Sequence, residues 1–389
     1  MSNATPDPPR EIREQEFREC LDVAGRSRPR ADLNQGGNMS FLQNAWYIAA
    51  WEDEVKPGTL FYRTILNEPV LLFRTSKGEV SALADRCPHR FLPLHHGKLS
   101  NDVVQCGYHG LSFDSTGQCV KSPHGDGRIP RGAVVRRYPT VLRHSAVWIW
   151  PGQPDLADPA QIPDYSFLTT AHPNAVFTGY LPTGCNYQLA TDNIMDLTHA
   201  DYLHIGSLDT RGAASRARPQ VRQENSSVFC DWWLPGSHIM GVFAPLLNLD
   251  DENEPVDQWL ELRWEPAASM LLRAGVTRAG RPRGEGFEGL AVHVMTPETE
   301  SSTHYFFASA REFMPEDAVL NEQIRAGVTA AFTYQDKPVL EAQQRSIGGQ
   351  HLLSLKPVAL PGDAGALRVR RALNDLLAAE SQKQKDAVC

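Results

Sequence analysis

The sequence predicts an α+β protein of two domains, a small antiparallel β domain followed by a larger α+β domain. Its 389 residues favour two domains, at roughly 100–200 residues per domain. Between residues 39 and 155, short apolar runs alternate with turn sequences such as Asn67-Glu68-Pro69, the pattern of successive antiparallel strands. Between residues 156 and 389, strand-like segments such as SVFCDWWL and STHYFFASA alternate with helical periods. Apolar residues from Ala366 to Leu377 recur at helical spacing and predict a packed terminal helix.

Residues 1–38 are predicted to form a polar, mobile tail. They are rich in Arg, Asp, Glu, Pro and Gly and poor in aromatic residues. Such a segment cannot bury enough apolar surface to offset the entropy lost on ordering. The character of the sequence changes at Met39, which leaves open whether Met39 is the true start.

Composition and charge exclude several classes of protein. A formal net charge of -8 argues against binding to nucleic acid, because phosphate-backbone binders concentrate Lys and Arg to displace counterions. The sequence lacks the ~18–20 consecutive apolar residues of a membrane-spanning helix and begins without a signal-peptide pattern, so we expect a cytoplasmic protein. Seven cysteines, an odd number, exclude a complete disulfide framework and suit a reducing compartment.

The segment CPHRFLPLHHGKLSNDVVQCGYHG contains two pairs of metal-ligand residues, Cys87-x-His89 and Cys106-x2-His109. Mixed Cys and His ligands suit a structural zinc site, but zinc spacings usually begin with two close Cys or end with two close His. Here each pair supplies one Cys and one His. That order favours a [2Fe–2S] cluster in which two thiolates hold one iron and two imidazoles hold the other, the Rieske arrangement.

A second group of metal-ligand residues lies in NIMDLTHADYLHIG, from Asn193 to Gly206. Asp196 and His199 would share one face of a helix, whereas His199 and His204 are about 140° apart and converge on one ion only if the helix bends or ends between them. The spacing differs from the i,i+4 histidines of a zinc peptidase. Two His and one carboxylate form the facial triad of non-haem Fe(II) oxygenases, which leaves positions open for O2. The alternative is a set of polar residues at a helix end.

Together these motifs resemble those of the Rieske non-haem iron oxygenases. The family's cluster motif, Cys-x-His-(Arg/Lys) then Cys-x2-His-Gly, matches residues 87–90 and 106–110, and its Asn-x2-Asp-x2-His-x4-His motif matches residues 193–204. The segments NAWYIAAW, YHGLSFD and MTPETESSTHYFFASAREF are closest to the monooxygenase branch that includes vanillate O-demethylases, dicamba monooxygenase and chloroacetanilide N-dealkylases. The resemblance implies an N-terminal antiparallel β Rieske domain and an α+β catalytic domain with an antiparallel sheet and helices, in a helix-grip-like arrangement.

The resemblance also implies roles for the residues of the second motif. His199 and His204 are expected to bind a mononuclear iron. Asp196 corresponds to the carboxylate that, in the family, links an iron-ligand His to a cluster-ligand His of the neighbouring subunit. Asn193 opens the same motif and is assigned with Asp196 to the catalytic group.

The third iron ligand is expected far downstream, at Asp336 in AFTYQDKPVLEAQQR. This residue matches the position of the family's carboxylate ligand. Without the resemblance, an Asp two residues before Pro338 is equally well placed to cap the N-terminus of a helix. Glu341 is the alternative carboxylate ligand.

The implied protein is the terminal oxygenase component of a multicomponent monooxygenase. An NAD(P)H-dependent reductase or a ferredoxin reduces the Rieske [2Fe-2S] cluster, electrons pass to the mononuclear Fe(II), and O2 is used to oxidise a substrate C–H bond. The sequence has no Gly-rich dinucleotide fingerprint between a strand and a helix, so the nicotinamide is expected to bind to the partner. The family's electron route crosses between subunits, which implies a ring-shaped homotrimer.

Three residues are the main candidates for the substrate pocket. His293, in LAVHVMT, is placed to donate a hydrogen bond to a carboxylate or carbonyl, and it lies where relatives have such a His; a satisfied core His is the alternative. Phe243 is a candidate for an apolar wall, together with Trp232 and Trp233. Gly327 lies inside a helical pattern at a cost of ~1 kcal/mol relative to Ala, and a cavity beside it would justify that cost.

The predicted reaction is oxidative O-demethylation of a methoxylated aromatic acid, in which hydroxylation of the methyl carbon gives a hemiacetal that releases an aldehyde. N-dealkylation of a chloroacetanilide-type anilide and hydroxylation of an aryl methyl group are the alternatives within the family. Two alternatives come from other classes: a Rieske electron carrier with an appended binding domain, and a zinc-stabilised interaction protein without redox chemistry. An electron carrier has no need of the long segment after residue 155, which favours the oxygenase.

Overall fold

The structure, a computed structural model, describes residues 41–251 and 253–388. The predicted polar tail, residues 1–38, and the possible start at Met39 lie outside the described residues. Within the described ranges, no helix combines the length and the apolar character needed to cross a membrane.

The N-terminal part of the described chain is built from short antiparallel strands. Three small sheets have the orders β1-β11-β10, β2-β3-β4-β9 and β5-β6-β7-β8. The segment between β4 and β5 and the turn between β6 and β7 carry the two Cys/His pairs, so the paired strands β5 and β6 separate the two loops. The strands are β1 (Tyr47–Trp51), β2 (Phe61–Ile65), β3 (Glu68–Arg74), β4 (Val80–Ala84), β5 (Lys98–Ser100), β6 (Val103–Gln105), β7 (Ser112–Phe113), β8 (Cys119–Lys121), β9 (Arg137–Tyr138), β10 (Thr140–Arg143) and β11 (Ala146–Ile149).

A single antiparallel sheet forms the centre of the C-terminal part, in the order β12-β18-β17-β16-β15-β14-β13. Strands β13 to β18 are each paired with the next, whereas β12 pairs with β18 at the far edge. In β14, Val228, Cys230, Trp232 and Leu234 are buried at alternate positions, the period of a strand with one face in the core. The strands are β12 (Val176–Thr183), β13 (Gln220–Glu224), β14 (Ser227–Ser237), β15 (Val256–Glu265), β16 (Ser269–Arg278), β17 (Phe287–Thr299) and β18 (Ser302–Arg311).

Helices pack against this sheet and carry Asn193, Gly327 and Asp336. The segment from Ala318 to Ile347 is continuously helical but contains one π-helical stretch, Ala331–Asp336. The predicted terminal helix is present and contacts α2 and β14. The α-helices are α1 (Phe167–Thr170), α2 (Tyr187–Met195), α3 (Ala200–Leu203), α4 (Ala213–Arg216), α5 (Ala244–Leu247), α6 (Ala318–Ala330), α7 (Lys337–Ile347) and α8 (Ala364–Val388).

Short 3-10 helices connect many of these elements. Several begin with a proline, whose fixed φ suits the first position of a helix. One of them leads directly into α3 and carries part of the second metal motif. Their bounds are Glu52–Glu54, Leu94–His96, Pro154–Leu156, Pro159–Gln161, Pro173–Ala175, Leu197–His199, Arg283–Glu285, Leu352–Leu355 and Pro361–Asp363.

Hydrogen bonds join the N-terminal strands to the large sheet. The main-chain N–H of Leu66 donates to the carbonyl of Pro297 at 2.9 Å. The buried His304 of β18 donates from Nε2 to the main-chain oxygen of Thr64 at 2.8 Å, and its Nδ1 lies 2.8 Å from the hydroxyl of Tyr180. Burial, with the charge of nearby Arg63, lowers the pKa of His304 to about 4. A neutral imidazole therefore links the two parts. The predicted α+β fold class is confirmed.

Candidate metal centres

The two Cys/His loops have the same backbone turn. In the first, the N–H of Cys87 donates to the carbonyl of Leu92 at 2.9 Å and the carbonyl of Cys87 accepts from the N–H of Phe91 at 2.9 Å. The second loop repeats this pattern between Cys106, Gly110 and Leu111, at 2.8 and 3.1 Å. The fourth residue after the cysteine has positive φ in both, 59° at Phe91 and 75° at Gly110. The loops are thus equivalent in backbone geometry although their histidines are spaced differently.

This shared turn brings the four predicted cluster ligands together. Cys87 and Cys106 are both buried. Burial raises the pKa of Cys87 to about 11, and the neighbouring Cys106 thiol adds to the rise although the His89 main chain opposes it. The rings of His89 and His109 lie 4.4 Å apart between centroids, at an angle of 72°.

One imidazole nitrogen in this group has an unsatisfied position. Nδ1 of His109 is buried and has no hydrogen-bond partner, which is costly unless something else binds it. Two adjacent thiols and two adjacent imidazoles, one with an orphaned nitrogen, fit the donor set of a Rieske [2Fe–2S] cluster. His124, which sequence reasoning missed, bonds from Nε2 to the main-chain oxygen of His109 at 2.7 Å.

The structure also brings together His199, His204 and Asp336, whose potential ligand atoms all lie within 4.8 Å of one another. Oδ1 of Asp336 is 3.5 Å from Nε2 of His199 and 3.3 Å from Nε2 of His204. Helix α3 ends at Leu203, between the two histidines. The predicted helix end between the two residues is therefore present, and it allows an i,i+5 pair to face one point.

Hydrogen bonds on the far side of each imidazole hold both Nε2 atoms toward that point. Nδ1 of His199 lies 2.6 Å from the main-chain oxygen of Asp196, and Nδ1 of His204 lies 2.7 Å from Oε1 of Gln335. Asn193 donates from Nδ2 to Oδ1 of Asp336 at 3.1 Å. Metal-bound histidines commonly use their second nitrogen in this way. Gln335 was missed by sequence reasoning, and its position next to a predicted ligand was the available signal.

The electrostatics of the two imidazoles differ. Burial lowers the pKa of His199, although the carboxylate of Asp336 opposes the change. Burial also opposes protonation of His204, but its hydrogen bonds to Asp336 and Gln335 outweigh this and raise its pKa. Two imidazoles and a carboxylate with their donor atoms turned to one point suit a non-haem Fe(II) site.

Asp336 does not cap a helix. Its φ of -69° and ψ of -52° are helical, and its side chain makes no capping hydrogen bond. It is the last residue of the π-helical stretch, where the wider turn lets the consecutive side chains of Gln335 and Asp336 both reach the same two histidines. Such π-bulges are frequent at functional sites. Glu341, the alternative ligand, instead accepts from the N–H of Gly184 at 3.0 Å.

The carboxylate of Asp196 bonds to Thr198, whereas its main-chain oxygen bonds to the imidazole of His199. Its Oδ1 accepts from the N–H and the hydroxyl of Thr198, at 3.0 and 2.7 Å. Gly362 packs against it so closely that a Cβ there would lie 2.5 Å from Oδ1. The predicted link from Asp196 to a neighbouring subunit stays a prediction, and within one chain Asp196 contacts His199 through its main chain.

A cavity of about 440 Å³ opens beside the His–His–carboxylate group. It lies between the large sheet and the helical segment α6, and its walls are mostly apolar, including Phe307 and Phe332. The predicted pocket residues His293, Phe243 and Gly327 all line it. A Cβ at Gly327 would meet no atom within 4 Å, so the space beside this glycine is open.

Two predicted wall residues lie elsewhere. Trp232 is buried in the core, and Trp233 is exposed and stacks on Trp259 with 6.5 Å between ring centroids. Neither lines the cavity. The prediction was wrong because alternate residues of a strand face opposite sides of the sheet, so adjacent residues could not share one wall.

His293 is fully buried in the cavity wall. Its Nδ1 lies 2.7 Å from the hydroxyl of Tyr305, and its Nε2 has no partner. Burial lowers the pKa of His293 to about 4, with a partial opposing effect of Asp336. At neutral pH the cavity therefore contains an uncharged imidazole with one free nitrogen.

Comparison with known proteins identifies the class to which this fold and these sites belong. Residues 45–139 match the family described as "Rieske [2Fe-2S] domain", and residues 183–379 match "Vanillate O-demethylase oxygenase C-terminal domain". The chain belongs to the Rieske non-haem iron oxygenases. The predicted enzyme class, a Rieske non-haem iron monooxygenase, and the predicted cofactors, a Rieske [2Fe-2S] cluster and a mononuclear iron, are confirmed.

Individual relatives are similar over nearly the whole chain. The oxygenase component of chloroacetanilide N-alkylformylase from Rhizorhabdus wittichii is 41% identical over 349 residues, 90% of this chain and 99% of the relative. The oxygenase component of dicamba O-demethylase from Stenotrophomonas maltophilia is 40% identical over 338 residues, 87% of this chain and 98% of the relative. The crystal structure of dicamba monooxygenase with non-heme iron and dicamba has a TM-score of 0.73 at 37% identity, covering 88% of this chain and 99% of that one. The chain is thus an oxygenase component of the kind that acts on aromatic substrates by demethylation or dealkylation.

Proposed function

We propose that this chain removes a small alkyl group from the oxygen or nitrogen of an aromatic substrate. O-demethylation of a methoxylated aromatic acid is the first candidate. The observation that carries the proposal is the single cavity that has His199, His204 and Asp336 on one side and the buried donor-acceptor His293 in its wall. An aromatic ring held by its acidic group near His293 would place an alkyl substituent toward the metal site.

N-dealkylation of an anilide is the second candidate, and the composition of the cavity favours it. Arg311 is a cation of the cavity wall, but its two terminal nitrogens already donate to four main-chain oxygens, and only its Nε has no partner. A carboxylate in an apolar site is costly unless it is well paired, whereas an amide carbonyl needs one donor. The 41% identical relative has a name that describes action on chloroacetanilides. Hydroxylation of an aryl methyl group is the third candidate.

We assign the residues as follows. Cys87, His89, Cys106 and His109 hold the [2Fe–2S] cluster. His199, His204 and Asp336 hold the mononuclear iron, with Asn193 positioning the carboxylate through its 3.1 Å bond. When bound, these groups supply electrons and activate O2.

The remaining residues bind and orient the substrate. His293 accepts or donates one hydrogen bond, Phe243 provides an apolar wall, and the missing side chain of Gly327 leaves room. One atom of O2 enters a C–H bond of the alkyl carbon and the other leaves as water, which consumes two electrons and two protons. The resulting hemiacetal or hemiaminal then breaks its carbon–heteroatom bond and releases an aldehyde.

The protein depends on partners for electrons and, we propose, on its own copies. A reductase or ferredoxin supplies the electrons, in a cytoplasmic location. Near the cluster loops, Tyr62, Phe91 and Tyr108 are exposed by 58–67%, and near the iron triad, Tyr202, Ile205 and Tyr334 are exposed by 74–78%. Two different apolar surfaces suit a head-to-tail contact, which closes into a ring if the rotation allows.

We expect a homotrimer in which Asp196 of one chain bridges toward the cluster of the next. Analytical ultracentrifugation should give the mass of three 43.2 kDa chains. A charge placed in either surface, by Phe91→Asp or Ile205→Asp, should disrupt the contact and shift the mass to that of one chain. A monomeric wild-type protein would contradict the assignment.

The reaction itself is tested with a panel of methoxylated benzoates, N-alkyl anilides and aryl methyl compounds, with a surrogate reductase. Formaldehyde or another aldehyde should appear in a 1:1 ratio with the dealkylated product. Asn193→Leu is the comparison variant. It leaves the cavity walls unchanged but removes the hydrogen bond to Asp336, so aldehyde release should fall for every substrate of the panel. If none of the panel compounds releases an aldehyde although the cluster is still reduced, dealkylation is ruled out.

A further inference from the structure

His293 and Tyr305 form a buried pair in the wall of the cavity. They lie on the neighbouring strands β17 and β18, where His293 pairs with Phe307 and Met295 pairs with Tyr305. Nδ1 of His293 and the hydroxyl of Tyr305 are 2.7 Å apart, and both side chains are almost fully buried. The two rings therefore have a fixed relation to each other and to the sheet.

The hydrogen-bond inventory of the pair selects one arrangement of protons. A neutral imidazole has one donor and one acceptor nitrogen, and a phenol has one hydrogen to donate. If Tyr305 donates to Nδ1, the proton of His293 must be on Nε2 and the phenol is satisfied. The reverse arrangement would leave the phenol hydrogen without an acceptor in the described surroundings, which a buried site disfavours.

The other nitrogen of His293 is left for a ligand. Nε2 is buried without a partner, and the imidazole lines the cavity. With the proton on Nε2, this atom is a hydrogen-bond donor. Burial lowers the pKa of His293 to about 4, so the imidazole is neutral and carries only one N–H.

A third aromatic ring ties this pair to the metal site. Phe332 contacts both His293 and Tyr305, with centroid distances of 5.7 and 5.3 Å. It lies in the same π-helical stretch as Asp336. The segment that carries Asp336 therefore packs directly on both rings of the pair through Phe332.

We propose that Tyr305 is a positioning residue that fixes His293 as the Nε2–H tautomer, so that the cavity selects aromatic substrates carrying an oxygen acceptor, the carbonyl of an amide or a carboxylate. This inference rests on the proposed function for the identity of the cavity as the substrate site. The inference goes beyond the proposed function, because Tyr305, the residue that fixes the donor, does not itself touch the substrate.

The test measures binding, which needs no turnover. Two ligands of the same shape are compared in the anaerobic holoenzyme by calorimetry, acetophenone and its isostere α-methylstyrene, in which a methylidene group replaces the carbonyl oxygen. The wild-type protein should bind the carbonyl ligand about tenfold more tightly, the equivalent of one hydrogen bond to a buried donor. In Tyr305→Phe this preference should fall to about twofold or less, because the imidazole loses the bond that fixes its proton and its orientation.

A matched control removes another buried tyrosine hydroxyl. Tyr47 is fully buried, donates from its hydroxyl to the carbonyl of Leu42 at 2.7 Å and does not line the cavity, so Tyr47→Phe should keep the tenfold preference. An equal loss of affinity for both ligands in Tyr305→Phe, a wild-type protein without preference, or loss of the preference in Tyr47→Phe would each overturn the inference. If the preference behaves as expected but no aldehyde is released from any substrate, the proposed function fails and the inference stands.

Discussion

The two metal-ligand groups of this protein are assembled in opposite ways. The cluster ligands come from two loops within residues 87–109, and each loop has its own turn closed by two main-chain hydrogen bonds. The iron triad joins His199 and His204 to Asp336, which lies more than one hundred residues further along the chain. The first group is set by local turns between short strands, and the second by packing of a distant helical segment.

The comparison explains which features can be recognised from spacing. Equivalent turns place each Cys at the same position of its loop, with a His two or three residues later, so the pattern of ligands in the sequence reflects the pattern in space. At the triad, the helix end between His199 and His204 is local, but the carboxylate depends on where the segment Ala331–Asp336 packs.

The largest effect is expected from the local group. His109→Ala should abolish the [2Fe–2S] cluster, because one of its irons loses one of its two imidazole ligands. Iron per chain should fall from about three to about one, with loss of the visible absorption and of all turnover. Iron analysis and absorption spectra check this. Loss of the mononuclear iron as well would show that the two groups are not independent.

Removal of the distant ligand should affect only the other site. Asp336→Ala should lower turnover by at least ~100-fold, since two imidazoles alone hold iron weakly. The red-brown absorption of the cluster should be unchanged. Glu341→Gln is the matched control, because Glu341 bonds to Gly184 rather than to the triad. Full mononuclear iron in Asp336→Ala would refute this assignment of the third ligand.

A smaller effect is expected from the residue that supports His204. Gln335→Leu removes the 2.7 Å bond to Nδ1 and should weaken iron binding by roughly 10–100-fold. Tyr334→Phe, at an exposed position next to it, should leave iron affinity unchanged. Titration of the iron-depleted protein with Fe(II) measures both constants. Equal affinities in the two variants would mean that the distant segment contributes only its carboxylate.

Acid should weaken the contact between the two regions. Because the folded-state pKa of His304 is lowered to about 4, the unfolded chain binds more protons between that value and about 6.5. The free energy of unfolding should therefore fall as pH decreases through this window, by about 3 kcal/mol from this group. Urea denaturation at several pH values checks the slope, and His304→Gln should make it shallower. An unchanged slope in His304→Gln would place the titrating group elsewhere.

The smallest effect is expected at the cavity. Gly327→Ala should raise the free energy of unfolding by ~1 kcal/mol, because Ala is the better helix former, while it narrows the cavity beside α6. Activity toward the bulkier substrates of the panel should fall more than activity toward the smaller ones. Ala326→Gly, the neighbouring exposed position outside the cavity, should cost ~1 kcal/mol without a change in selectivity. Equal activity losses for all substrates would argue against a size filter.

Sequence reasoning located most of the candidate site but not its supports. The Cys/His pairs and the two triad histidines were recognisable because each is a short motif. Without the family resemblance the role of Asp336 was ambiguous, because an Asp shortly before a proline is also common at the N-terminus of a helix. Gln335 had only its position next to a predicted ligand as a signal, and Tyr305 had none, because a hydrogen bond to a ring nitrogen depends on side chains that are distant along the chain.

The sequence by itself determined the fold class, the two metal motifs and the family, because those depend on local periodicity, turns and spacing. Only the tertiary structure decided that the π-helical stretch turns Gln335 and Asp336 toward His204, that Trp232 and Trp233 stay out of the cavity, and that Tyr305 meets His293. The physical reason is that the direction of a side chain is fixed by the packing and pairing of neighbouring elements, which a pattern along one chain does not encode.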